Sequence, residues 1–197
     1  MKKLIALLLA VVMVMGLAAC GGDTTDASTD DTAQTGETVT LKVGATPAPH
    51  QEILEQVDGP IHGFCSGIGT GGTITGIGET LKAANPDMEI WAVEPEHAAI
   101  LSGGSIGSHL QMGIGDGVIP DILNQNIYQD IYIVKDEEAI RTAQELASKE
   151  GIMCGISSGT NVAAAIQLAK KLGEGKTVVT VLPDTAERYF STPLFEE

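Results

Sequence analysis

Apolar positions divide this chain into three unlike stretches. They run unbroken from Leu4 to Met15, no large one occurs in residues 21–37, and beyond residue 58 they alternate between short runs and helical spacings. In that last stretch, residues 61–65 read as a buried strand and residues 66–72 as a glycine-rich turn. Ile74, Ile77 and Leu81 then recur at helical spacing from Thr73 until Asn85-Pro86 stops the helix. Residues 89–94 and 131–134 read as further strands. Asp136 caps a helix whose buried face is Ala139, Ile140, Ala143, Leu146 and Ala147, and Gly151 ends it. A helix over residues 160–172 and an apolar strand over 177–182 complete the pattern. Strands alternating with helices predict an α/β fold whose parallel sheet is covered by helices on both faces.

The beginning of the chain reads differently. Lys2 and Lys3 precede the apolar run, and Leu17-Ala18-Ala19-Cys20-Gly21 follows it. A basic start, a short apolar middle and small residues before a cut describe a secretory signal over residues 1–20. The run falls short of the roughly 20 residues that a membrane span needs. Leu-Ala-Ala-Cys also resembles a bacterial lipoprotein box, which implies lipid on Cys20 and a membrane contact through that lipid alone. Residues 21–37 are rich in Asp, Thr, Ser and Gly and predict a flexible acidic linker. In residues 38–57, Val39, Leu41 and Val43 alternate as in a strand, Pro47 and Pro49 mark a loop, and residues 52–57 begin a helix. With its signal and linker, this part resembles the start of the methionine-binding lipoproteins of ABC importers (NlpA type), most specifically at Leu41-Lys42-Val43-Gly44-Ala45-Thr46-Pro47 and Pro49-His50. A membrane-tethered solute-binding lipoprotein is therefore one reading of the chain. Such a protein needs two lobes around its ligand, and one strand with part of a helix forms neither.

Charge and composition narrow the chemistry. The formal net charge of −15 argues against a nucleic-acid partner, because phosphate backbones require a cationic face. The 3 cysteines form no CxxC pair, and the 4 histidines lack metal-ligand spacing, so no metal site is expected. Cys65 and Cys154 read as small buried apolar residues.

The turn Gly67-Ile68-Gly69-Thr70-Gly71-Gly72-Thr73 lies between a strand and a helix. Glycines let the backbone approach a ligand, and free N–H groups at a helix start attract an anion. Gly67, Gly69 and Gly72 also satisfy G-x-G-x-x-G, and Glu94 ends the next strand near where a ribose-binding acid would stand. Phosphate binding, a dinucleotide-binding module and a plain tight turn all fit this loop taken alone. Two later loops bear on the choice. Gly155-Ile156-Ser157-Ser158-Gly159-Thr160 sits at a helix start, where its hydroxyls would ordinarily cap. Leu182-Pro183-Asp184-Thr185-Ala186-Glu187-Arg188-Tyr189 follows the last strand. In an open parallel sheet, loops beyond the strands' carboxyl ends converge on one crevice.

Several stretches together resemble the C-terminal half of the cysteine synthase (O-acetylserine sulfhydrylase) family. They are Gly67 to Gly76 (GIGTGGTITG), Val93-Glu94-Pro95, His109 to Pro120 (HLQMGIGDGVIP), Glu150 to Gly159 (EGIMCGISSG) and Leu182 to Phe195 (LPDTAERYFSTPLF). The resemblance runs from about Asp58 to the end, dividing the chain into residues 1–20, 21–37, 38–57 and 58–197. It implies part of a fold-type II pyridoxal-phosphate enzyme, similar to the tryptophan synthase β chain. It also implies β-replacement on an O-acetylserine-like substrate (with sulfide, to cysteine and acetate), a homodimer, and the cytoplasm as compartment. The leader implies export instead. By the resemblance, Gly69, Thr70, Gly71, Gly72 and Thr73 hold the cofactor phosphate. Ser157 bonds the pyridine nitrogen, Asp184 and Thr185 lie near the pyridine end, and Gly113, Ile114 and Gly115 lie beside the substrate. A hydroxyl at the ring nitrogen, rather than a carboxylate, weakens the electron sink and suits β-elimination and replacement.

Three departures qualify that picture. Gln commonly stands directly before the Gly-Ile-Gly run in the family; here Met112 is there and Gln111 is one place earlier. Ala186 replaces a usual glycine. The family's lysine that anchors the cofactor, and its Ser/Thr-Gly-Asn-Thr-Gly loop for the substrate carboxylate, belong to a first half that has no counterpart here. Lys82, Lys135, Lys149, Lys170, Lys171 and Lys176 all match other places, and Lys42 belongs to the lipoprotein-like part. The expectation is a fused or truncated chain, inactive alone for want of its lysine.

Overall fold

A computed structural model of the chain describes residues 59–195, together with Val57 and the strand Leu41–Gly44. The signal, the linker, Cys20 and the expected helix start at residues 52–56 lie outside the described residues. In chain order the elements are β1 (Leu41–Gly44), β2 (Gly63–Gly67), α1 (Gly72–Ala84), β3 (Glu89–Pro95), β4 (Asp130–Val134), α2 (Asp136–Glu150), α3 (Ile156–Leu172) and β5 (Val178–Val181). Short 3-10 turns occupy Glu96–Ala98 and Ala186–Tyr189. The sheet runs β1-β5-β2-β3-β4, and all its pairings are parallel. The α/β class read from the apolar pattern is what the chain adopts.

Period-two alternation assigns each strand residue to one of two cores. On one face Phe64 of β2 and Ile90 and Ala92 of β3 meet Ile74, Ile77 and Leu81 of α1. On the other, Cys65, Trp91 and Val93 meet α2 and α3 through Ala139, Ala143, Val162, Ala165 and Leu168. Small residues let the layers close. A Cβ on Gly63 would stand 2.8 Å from Leu172 Cδ1, and one on Gly159 would overlap the Ala139 carbonyl of α2.

Element ends differ from the sequence reading in two informative ways. Asp136 does not cap α2; Lys135 holds the N-cap position without a side-chain bond. The Asp136 carboxylate instead accepts from Leu110 N–H at 2.8 Å and from Gln111 Nε2 at 2.9 Å, fastening the long β3–β4 connection. Helix α3 begins at Ile156, four residues ahead of expectation, with Gly155 at its N-cap. Ser157 and Ser158 are thus helical and buried rather than caps. The expected end of α2 holds: Gly151, at φ 70°, returns its N–H to Leu146 O.

Candidate functional site

The ends of β2 and β5 open onto one cavity of about 660 Å3. Three loops converge on it. Gly69, Thr70, Gly71 and Thr73 line it from the turn after β2, Gly113 and Ile114 from the β3–β4 connection, and Asp184 and Thr185 from the loop after β5. Gly72, Gly115 and Ser157 are not on its wall. Ser157 is 4% exposed and shares a face of α3 with Asn161, one turn on, which does line the cavity.

The first turn is shaped for an anion. Among the described residues, residues 69–73 donate no backbone hydrogen bond; the next donor is Thr75, whose N–H reaches Gly71 O at 3.1 Å. Unpaired N–H groups at the start of a 13-residue helix form a nest of positive potential. Gly71 has φ 81°, a left-handed conformation that a side chain would strain. The second glycine turn is bolted to the first. Gly115 N–H donates to Ile68 O at 2.9 Å, and a Cβ on Gly69 would overlap Gly113 O.

Two polar side chains hold this geometry, Gln111, noted in the sequence as displaced by one place, and Asn161, which the sequence reading passed over. Gln111 is fully buried. Its Nε2 donates to Val134 O at 3.0 Å as well as to Asp136, and its Oε1 accepts from Thr160 Oγ1 at 2.7 Å. The displaced glutamine is therefore a staple between the β3–β4 connection, β4, α2 and α3, while Met112 is 55% exposed. Asn161, 2% exposed, accepts from Gly67 N–H and donates to Val181 O.

At the far wall, Cys154 forms an isolated antiparallel bridge with Thr185, and Ser158 Oγ donates to Asp184 O at 3.4 Å. Burial pushes the Cys154 thiol up to about 11, with the Asp184 carboxylate adding to the rise. Among the described residues, Asp184 and Arg188 are the charged groups on the cavity wall, and no lysine lines it. Glu94 is not on it either. Its carboxylate is buried and held by the chain itself, Oε1 by Leu101 N–H at 2.7 Å and Oε2 by Ser102 N–H at 3.1 Å and Oγ at 3.0 Å. An acid buried there, off the cavity wall, does not stand where a ribose in the cavity would need it, which removes the dinucleotide reading's key residue.

The residues present suit a phosphorylated ligand: a nest for the phosphate and a cavity within the usual range for a cofactor, with Asp184 and Thr185 on its far wall. Among the described residues no helix is long and apolar enough to cross a membrane.

The sequence profile of the family described as "Pyridoxal-phosphate dependent enzyme" matches residues 49–184, beginning ahead of the change of pattern at Asp58. A cysteine synthase of Staphylococcus aureus (strain Mu50 / ATCC 700699) is 49% identical over 157 residues, covering 77% of this chain and 51% of that protein. Among solved structures, cysteine synthase from Entamoeba histolytica superposes with a TM-score of 0.72 at 40% identity, over 75% of this chain and 44% of the other. A hydrogen sulfide-producing enzyme from Fusobacterium nucleatum gives 0.70 at 39% identity, over 75% and 45%. The chain spans about half the length of the curated relatives it matches.

Proposed function

Because the chain belongs to the pyridoxal-phosphate dependent enzymes, within the cysteine synthase family, we propose that it is the cofactor-cradling part of a β-replacement enzyme acting on an O-acetylserine-like amino acid. The reaction class is replacement of acetate by sulfide to give cysteine. The observation that carries this reading is the turn at residues 69–73, whose N–H groups have no partner among the described residues and which lines, through Gly69, Thr70, Gly71 and Thr73, a cavity that also receives Gly113, Ile114, Asp184 and Thr185.

Gly69, Thr70, Gly71, Gly72 and Thr73 would bind the phosphate through backbone donors and the α1 dipole. Ser157, behind the wall on the same helical face as Asn161, would offer a neutral hydroxyl to the ring nitrogen. Asp184 and Thr185 would border that end of the ring, and Gly113, Ile114 and Gly115 the substrate. Bound there, pyridoxal phosphate supplies the electron sink for chemistry at the amino acid's α and β carbons. Abstraction of the α-proton needs a general base within hydrogen-bond reach. With no lysine on the described cavity wall, this chain alone would bind but not turn over.

Two titrations test this. Pyridoxine 5′-phosphate, which lacks the aldehyde, should bind saturably, and Thr73→Pro, which removes a nest donor, should weaken it. Pyridoxal phosphate followed by borohydride should leave no single lysine stoichiometrically labelled. Absence of pyridoxine 5′-phosphate binding would overturn the cradle, and one fully labelled lysine would overturn the statement that the chain lacks its anchor.

A further inference from the structure

Strands β2 and β5 pair through Gly63 with Val178, Phe64 with Val179 and Cys65 with Thr180, and there their ladder stops. Both strands run on, β2 to Gly67 and β5 to Val181. Between the two separated ends stands the side-chain amide of Asn161. Gly67 N–H donates to Oδ1 at 2.7 Å, and Nδ2 donates to Val181 O at 2.8 Å. One partner can only donate and the other only accept, so the amide has a single workable orientation. Asn161 is anchored on α3, where Val162, Ala163, Ala164 and Ala165 are all buried. Gly67 leads directly into the anion nest, and Val181 leads directly into the Asp184–Thr185 wall.

We propose that Asn161 is a positioning residue. Its amide takes the place of the next rungs of the β2–β5 ladder and fixes the width between the phosphate nest and the ring-end wall. Without it, Gly67 N–H and Val181 O, both half-buried on the cavity wall, lose the partner that links them, and the two strand ends are free to close or splay. A ligand that touches only the nest would feel little of this. A ligand that spans nest and wall depends on their separation, because its second contact is intramolecular once the first is made. The inference rests on the reading of this cavity as a phosphorylated-pyridine site, but its physical core, the coupling of two loops by one amide, does not.

Asn161→Asp keeps the shape and turns an acceptor toward Val181 O; Asn161→Ser shortens the side chain and preserves polarity. Calorimetric titration of each with inorganic phosphate and with pyridoxine 5′-phosphate gives a ratio of affinities. Both variants should lose about tenfold or more for pyridoxine 5′-phosphate, the effect of one lost hydrogen bond, while phosphate binding stays within about threefold. Hydrogen exchange on the ligand-free chains should show the bonded amides at the two loops, Gly67 and Ile68 ahead of the nest and Gly155 and Ala186 at the loop after β5, gaining exchange together, with residues 77–84 of α1 unchanged. Equal losses for the two probes, or exchange rising in only one of the two loops, would overturn the assignment. If the unaltered chain binds neither probe, the cofactor reading falls and the exchange experiment alone decides the role of Asn161.

Discussion

The Tyr189 hydroxyl donates to Asp184 Oδ2 at 2.6 Å, while Asp184 Oδ1 is buried without a partner. One face of Gly155, at the start of α3, is closed by this pair: a Cβ there would overlap Asp184 Oδ1. This carboxylate of the cavity wall thus has the Tyr189 phenol as its side-chain hydrogen-bond partner among the described residues.

Removing that phenol has a predictable cost. Tyr189→Phe leaves Oδ2 as unsatisfied as Oδ1 and should destabilise the fold by about 1–3 kcal/mol in urea titrations. The pH dependence has a definite sign. Burial first, then the bond to Asp184, raise the Tyr189 pKa above its ordinary 10.0. A raised folded-state pKa stabilises fully below the unfolded value and is lost as pH climbs through the folded one. The advantage of the unaltered chain over the variant should therefore hold at neutral pH and shrink above pH 10. An advantage that grows in alkali would refute the bond.

The thiols give a second test. Burial pushes Cys65 up to about 12 and Cys154 up to about 11. The thiolate is the reactive form, so iodoacetamide at pH 8 should leave both unmodified in the native chain and label both in denaturant. Peptide mass spectrometry distinguishes the two positions. Rapid labelling of native Cys154 would mean that the wall beside Thr185 opens.

Much of this was legible in the chain. Element order, the parallel sheet and the placement of the glycine turn follow from apolar periodicity, because burial is what periodicity records. The direction of a polar side chain is not recorded there. Asn161 stands between the polar Ser157–Thr160 stretch and the apolar run that starts at Val162, and its partner Gly67 is 94 positions away. Ser157 and Ser158 look like caps because hydroxyls usually are; packing against the loop after β5 takes them into α3 instead. Gln111 looks like a binding residue slipped by one place, yet tertiary contacts with Val134, Asp136 and Thr160 make it part of the frame.

That distinction between Gln111 and Met112 can be measured. Gln111→Leu takes the amide from the buried Val134 O and Thr160 Oγ1 and should cost about 2–3 kcal/mol. Met112→Gln, at an exposed position, should stay within about 0.5 kcal/mol of the unaltered chain. Similar losses at both positions would mean that the register of this connection is wrong.

A pair of glycines separates site geometry from helix propensity. Gly76 lies exposed within α1, and an added Cβ there meets nothing within 4 Å. Alanine should reduce the entropy of the unfolded chain and stabilise by about 0.5–1 kcal/mol without touching ligand binding. At Gly69 an added Cβ would overlap the Gly113 carbonyl, a backbone group that no rotamer change can move. Gly69→Ala must therefore push the two glycine turns apart, and both line the cavity. It should lower stability by about 1–3 kcal/mol through local strain and abolish saturable pyridoxine 5′-phosphate binding. Thermal unfolding and titration of both variants read out the contrast. If Gly69→Ala bound the ligand as the unaltered chain does, the nest would not be built by contact between these two turns, and the phosphate would have to be held elsewhere.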